Sequence, residues 1–373
     1  MSKGASGRRA AGKRRAEPAQ AAVPATEQPS KERGSVRFAR PSNAIAVLLW
    51  STAIAVGLVY LAAAALDTGP GWFDSVGAVV IATALTWGLT VRTGGRPFLF
   101  SLLVLVVAVG VVVVDNEQLS TGAAVVTAAM AAMLGVMATV PAVRIRGAIR
   151  EPLVAAVIAF GGSFAAIGFD PTITVVRYQY AVLALALIGT FVLVYRLGAG
   201  LHGLGRRGFV IVIVGGLVLA AMLAYAGLLR NYGSESLRTW APNLSDWSLD
   251  HLHGYPRPIE ALLGVPALMW GAHMRARRRQ GWWVCAFGVA FTAPAATTLA
   301  NPGLSVLDSL LTTVYSLVVG IVVGFLAIRV DLLLTGPGPR GAGSGARAGR
   351  RAAREAEEAS AVRPEPTRTR PLL

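Results

Sequence analysis

Apolar runs of close to twenty residues recur ten times along the chain, and nothing else in the sequence constrains the fold as tightly. They fall at 44–66, 75–91, 97–114, 121–142, 152–168, 178–197, 209–229, 258–274, 281–300 and 304–328. About 20 apolar residues in a helix span the hydrocarbon core of a bilayer. Lipid offers the backbone no hydrogen-bond partner, and in an open chain only a helix satisfies itself. The expected fold is therefore an all-α polytopic integral membrane protein with ten transmembrane helices. Composition agrees. Only 14% of residues are charged and 54% are hydrophobic, whereas a soluble domain carries about 25% charged residues.

Arginine placement sets the expected orientation. Alternate connections hold Arg92 and Arg96, then Arg144, Arg146 and Arg150, then Arg196, Arg206 and Arg207, then Arg275, Arg277, Arg278 and Arg279. The other connections hold four arginines, Arg177, Arg230, Arg238 and Arg257, and most of the acids outside the chain's ends. Positive residues mark cytoplasmic loops. The alternation predicts both termini inside, in a multi-pass protein of the cell (plasma) membrane. It is regular through all ten runs, and a miscounted span would invert it downstream.

The formal net charge of +16 sits mainly in the tails. Residues 1–40 hold ten Lys/Arg and three Glu, and residues 336–373 hold eight Arg and four Glu. Both segments are rich in Ala, Gly, Pro and charge, a composition that cannot bury a core. The expected domains are a disordered basic tail at 1–40, a transmembrane domain at 41–330 and a disordered Arg/Ala/Pro-rich tail at 331–373. Such tails suit anionic lipid at the cytoplasmic face, or a protein partner. Nucleic acid is not an expected partner. A polar stretch precedes the first apolar run, so no secretory leader is expected. The single cysteine, Cys285, excludes an intrachain disulfide and any CxxC pair.

One connection is long. The outer loop 231–256, NYGSESLRTWAPNLSDWSLDHLHGYP, carries two of the four histidines. Trp240 and Trp247 suit the headgroup region. The stretch SDWSLDHL predicts a short interfacial helix with Ser245 as its N-cap. Asp246 and Asp250 then share a face at i, i+4. With His251 and His253 they form a candidate metal set, since carboxylate and imidazole suit zinc or another transition metal. The spacing matches no established metal motif, and a solvated loop is the plainer reading. No other cofactor is evident.

The candidate ion or substrate ligands lie further on. Pro256 and Pro258 end the loop, and Glu260 follows in the first turn of the eighth span with Arg257 three residues away. Asp308 enters the tenth span beside a stripe of small and polar residues, Ser305, Ser309, Thr312, Ser316, Gly320 and Gly324, at i+3 and i+4 spacing. Small residues on one face let helices approach closely, so the stripe is first a packing face. An acid in a bundle interior is by default a functional candidate, while an acid in a first turn also serves as a cap. Thr297, Thr298 and Asn301, with Thr312, are candidates for the same outer cavity. Pro266 and Pro294 break spans eight and nine, as in many transporters. Met130, Met133 and Met137 on span four read as core packing.

Three functions remain open. A transporter or permease with an outward-facing polar site ranks first. A membrane enzyme acting on a lipid-linked substrate at the outer face is second, weakened by the lack of GxSxG, HExxH or a P-loop. A structural or assembly component of an envelope complex is third. Ten spans divide into two sets of five only if the halves are inverted, a relation known in transporter folds.

Overall fold

The computed structural model describes residues 41–66, 68–197, 201–232, 243, 246–277, 281–335 and 366–372. Most of both predicted tails, and Trp240 and Ser245, lie outside these residues. Within the described residues the chain is helical, without strands. Each apolar run is occupied by helix. The first seven are α1 (Pro41–Ala65), α2 (Phe73–Arg92), α3 (Pro97–Val114), α4 (Glu117–Met137), α5 (Ile145–Gly168), α6 (Val175–Arg196) and α7 (Leu201–Tyr232). A π-helical turn, Glu260–Gly264, then leads into α8 (Val265–Arg277). The ninth run is split into α9 (Gly281–Ala286), α10 (Val289–Thr297) and a 3-10 turn, Thr298–Ala300. The last helix is α11 (Val306–Thr335).

Local sequence explains several boundaries. Pro97 opens α3 at a position where its missing N–H costs nothing. Asn116 caps α4, its side chain accepting from the N–H groups of Gln118 and Leu119. Asp115 ends α3 in the left-handed region at φ 48°, which Asp tolerates better than most residues.

Eight helical stretches are long and apolar enough to cross a membrane: those of α1 to α6, residues 281–300, and α11. Among the described residues α7 shows an apolar stretch at Val212–Tyr225, and α8 carries His273, Arg275 and Arg277. Every α8 residue from Val265 to Ala276 is buried except Trp270. A helix sheathed by its neighbours needs no lipid-compatible surface, which is why α8 stays polar.

The helix pair of the ninth run is the centre of the bundle. α10 packs against α4, α5, α6 and the π-turn. Its run is the most buried of the eight, 83% of its apolar window, against 11% for α1 and 17% for α3. The exposed valines, leucines and phenylalanines of α3 therefore face outward, where lipid rather than water is their natural solvent. The core is alanine-rich, with Ala128, Ala131, Ala155, Ala159, Ala293 and Ala296 all fully enclosed. Helices with such small interface residues approach closely.

The π-turn has a local cause. Pro266 has no N–H to offer the carbonyl of Leu262. Val265 instead donates to Glu260 O, five residues back, the bonding that defines a π-bulge. Gly264 makes the bulge fit: a Cβ there would stand 2.3 Å from the backbone N of Phe291 in α10.

Two sequence boundaries change. The fifth run begins at Ile145, not at residue 152, so Arg146, Arg150 and Glu151 lie inside α5 with Pro152. The tenth helix runs on to Thr335, and residues 366–372 hydrogen-bond to Arg92, Ala138 and Glu151. Arg368 meets a buried carboxylate, Glu151.

Candidate functional site

Two fully buried carboxylates stand at opposite ends of the bundle, Glu260 and Glu151. Removing a carboxylate from water is costly unless it is paired and hydrogen-bonded, so each has to be accounted for by its partners.

Glu260 opens the π-turn. Its Oε1 accepts from the Arg257 guanidinium at 3.2 Å, the i, i+3 pair expected from sequence. Its Oε2 has no hydrogen-bond partner among the described residues. The Ser316 hydroxyl of α11 faces the carboxylate and accepts from the Arg257 backbone N–H at 2.9 Å. One turn earlier on α11, the Thr312 hydroxyl is buried and also without a partner, as is that of Thr298 in the 3-10 turn. The stripe read in the sequence is thus the contact face of α11. Ser309 donates to Thr298 O at 3.4 Å. Thr312 abuts Gly254, whose Cβ would come within 2.7 Å of the Thr312 backbone N. Gly320 lies against Val265, and Gly324 against Met269. At this face a π-turn, a proline-containing helix and a hydroxyl-rich helix meet around one carboxylate oxygen that still has bonding capacity.

Asp308 has a different role. Its backbone N–H donates to Ser305 Oγ, and its Oδ2 accepts from the Ser305 N–H, both at 3.1 Å. This is a capping box at the start of α11, with Asp at the third helical position in place of the usual Glu. Its Oδ1 meets His253 Nδ1 at 3.1 Å. His253 itself sits at φ 56°, directly after the helical segment 246–252. Ser248 Oγ donates to Gly254 O at 2.6 Å, and Tyr315 OH donates to Leu252 O at 3.0 Å. The Ser248 bond closes the loop on itself, and the His253 and Tyr315 bonds pin its end onto α11.

The four metal candidates are not brought together. Asp246 and Asp250 are exposed on the short helix. His251 stacks on Trp247 at 4.9 Å and holds its backbone carbonyl at 2.8 Å. His253 has joined Asp308. Among the described residues no group of three His, Cys, Asp or Glu is placed to hold a metal ion. Asn301 uses its Oδ1 to accept from Gly303 N–H in the turn before α11. Thr297 bonds back to the Ala293 carbonyl at 3.1 Å. Of the sequence candidates, Glu260, Thr312 and Thr298 are each buried with an unpartnered oxygen, and Asp308 and Asn301 shape the turn before α11.

The other end of the bundle was not read from sequence. Arg92 and Arg275 are both buried and converge on the end of α4. Arg92 Nε donates to Met137 O at 2.8 Å. Arg275 donates to the Thr139 hydroxyl at 2.7 Å and to its carbonyl at 3.0 Å, while lying 3.5 Å over the Trp282 ring. Cations suit the last carbonyls of a helix. His273 Nδ1 bonds Ala142 O at 3.1 Å, and Ala142 N–H donates to Ala272 O. Glu151 completes the set: Oε2 accepts from Val140 N–H at 2.7 Å, and Oε1 from Arg368 at 2.6 Å and Arg150 at 3.4 Å. The signal for Glu151 was present, since it is the one acid beside the clustered arginines of 92–150.

No protein-family model matches this chain, no curated protein matches it, and no solved structure matches its fold. The residues themselves carry the functional reading.

Proposed function

We propose that this chain is a ten-span transporter of the plasma membrane, with both termini cytoplasmic, that binds a proton or small cation at Glu260. The observation that carries the reading is the buried Glu260 carboxylate, with one oxygen paired to Arg257 and the other unpartnered. In a bundle interior such a group is retained for what it binds. The broken helices around it support the same reading, because π-turns and discontinuous helices cluster at functional sites. The eighth span stays polar because its neighbours bury it, so its low hydropathy does not count against ten spans.

The chemistry follows from the donors. Oε2 of Glu260 and the hydroxyls of Thr312 and Ser316 are hard oxygen ligands, suited to a proton or alkali cation. Arg257 is the built-in competitor. With the site empty it neutralises the carboxylate, and a bound cation takes over part of that role. Loop 246–257, pinned on α11 by the His253–Asp308, Tyr315–Leu252 and Arg257–Ser316 bonds, lies over the outer end and serves as the selective gate.

The test uses purified protein in liposomes carrying an internal pH-sensitive dye. Small organic and alkali cations are added outside across an imposed pH step. Wild-type protein is expected to show cation-dependent proton movement, and Glu260→Gln to show none while eluting as the same folded species. Equal flux in the two proteins would refute the assignment. Flux lost equally in an Asp308→Asn variant would move the site to the capping box.

A further inference from the structure

The Arg-rich end carries a second feature, independent of the Glu260 reading. Two cavities share a wall there. One, of about 480 Å3, lies among Val140, Pro141, Arg150, Thr367 and Arg368. The other is an apolar groove of about 750 Å3, within the size range of about 300–1,000 Å3 typical of ligand sites. α1 and α5 face each other across it, from Trp50 to Leu58 on one side and from Leu153 to Gly162 on the other, with α2 and α4 between. Arg368 and Thr369 line both cavities. Arg368 is the only charged residue among those lining the groove.

The segment 366–372 that joins the two cavities is held at several points. Arg92 donates to the carbonyls of Thr367 and Arg370 at 2.9 and 3.0 Å. Leu372 N–H donates to Arg92 O at 3.0 Å, and Arg368 Nη1 donates to Ala138 O at 3.0 Å. Arg368 and Arg150 both pair with Glu151 Oε1, and Oε2 accepts from the Val140 N–H, so both oxygens are occupied. The Arg150 side chain remains 62% exposed. The smaller cavity therefore presents two guanidinium groups against a single, enclosed carboxylate.

We propose that the paired cavities are a binding site for one anionic phospholipid, its phosphate between Arg150 and Arg368 and an acyl chain in the α1–α5 groove. Three observations select this occupant. The groove wall is apolar and includes the outward-facing Val47 and Val157, so hydrocarbon fills it. The excess charge lies at one end only, where a headgroup belongs. Guanidinium groups match phosphate oxygens in geometry as well as charge, and basic pockets between membrane helices are suited to anionic headgroups. The segment 366–372 is part of the site: without it the headgroup cavity has one wall and one arginine fewer.

The test measures retained lipid by native mass spectrometry after the detergent-purified full chain is incubated with equal amounts of dioleoylphosphatidylglycerol and dioleoylphosphatidylcholine. Wild-type protein is expected to hold one phosphatidylglycerol with a preference of about 30-fold, the value for two arginines near a lipid phosphate. Arg150→Gln combined with Arg368→Gln is expected to erase the preference while some lipid of either kind remains bound. Arg150→Gln alone, at an exposed side chain, keeps the test valid if the double variant misfolds, and is expected to lose about half of the preference on a logarithmic scale. Gly161→Phe fills the groove without a clash, since a Cβ at Gly161 meets nothing within 4 Å, and is expected to abolish retention of both lipids. Equal retention of the two lipids by wild type, unchanged preference in Arg150→Gln, or full retention in Gly161→Phe each overturns the site. Displacement of the lipid by millimolar inorganic phosphate overturns it too, because the groove would then contribute nothing.

Discussion

Glu151 and Glu260 are equally buried, yet they are held in opposite ways. Glu151 has every oxygen engaged, by a backbone N–H and two arginines. Around it Arg92, Arg275 and His273 stitch the 137–142 connection to α2 and α8. Glu260 has one arginine and the Ser316 hydroxyl facing it, and its Oε2 has no hydrogen-bond partner among the described residues. A buried polar group that is fully satisfied rigidifies its surroundings, and one that is partly satisfied is costly to keep. The contrast teaches which end is architecture and which is chemistry. The Arg-rich end is a closure that ties α2, α4, α5, α8 and α9 together. The Glu260 end carries a carboxylate oxygen without a partner among the described residues, and under the proposed function that oxygen is the ligand's place.

The sharpest way to break this comparison is to remove each carboxylate in turn. Glu151→Leu leaves Arg368, Arg150 and Val140 N–H without their shared acceptor. Losing one partner of a buried pair costs about 3–5 kcal/mol, to be read as a large fall in Tm of the detergent-solubilised protein. Glu260→Gln keeps a hydrogen-bond acceptor for Arg257 but leaves that mostly buried guanidinium without its counter-charge. Tm is therefore expected to fall as well, though less than for Glu151→Leu, which strands two arginines and a backbone N–H, while cation-dependent flux stops. If the two substitutions lower Tm equally, the division into closure and site is wrong.

Gly264→Ala probes the same division at the backbone. Its Cβ would meet the Phe291 N at 2.3 Å, and backbone cannot swing aside as a side-chain end does. Overpacking of this kind costs about 1–3 kcal/mol. The strain falls on the π-turn, so flux is expected to fall along with Tm. Gly161→Ala, in open space, serves as the neutral control; a loss of Tm there as large as at Gly264 would remove the packing argument.

Ser305→Ala removes the cap of α11. Loss of a Ser cap costs about 1 kcal/mol. Because Ser305 and Asp308 only anchor the helix start, Tm is expected to drop slightly with flux retained. A variant that keeps its Tm and loses flux would instead place the capping box in the site.

Much of this was legible in the sequence, and the reasons it was legible are specific. The α11 stripe followed from small residues at i+3 and i+4, and its register against Thr298, Gly254 and Val265 is what such a stripe permits. The Arg257–Glu260 pair followed from spacing alone. Asp308 carried two readings because a first-turn acid and an interior acid look alike until Ser305 is seen to return the bond. The π-turn was not legible: a proline predicts an interrupted helix, but not whether the interruption widens or kinks it. The depth of Glu260 was hidden as well, since a first-turn position suggests an interface, and only α10 and α11 closing over the turn bury it. Glu151 was missed because the fifth run was started at Pro152, where apolarity begins, although the helix starts seven residues earlier. The docking of 366–372 joins residues far apart in sequence, and tail composition carries no record of it.

The smallest expected change in stability is the most informative about function. Thr312 is buried on the α11 face, and its hydroxyl has no partner. Thr312→Val replaces that hydroxyl with a methyl of similar volume. Where a hydroxyl is well bonded, this exchange leaves its partner unsatisfied and costs about 1–3 kcal/mol. Here no partner is stranded, so Tm is expected to stay level or rise. If the hydroxyl is a ligand of the cation beside Glu260, the same variant weakens apparent cation affinity in the liposome assay, with maximal flux less affected. A structural role moves Tm and leaves affinity alone; a ligand role moves affinity and leaves Tm alone. The two outcomes do not overlap, and the variant changes no charge, so either result bears on the Glu260 end without disturbing the Arg-rich one.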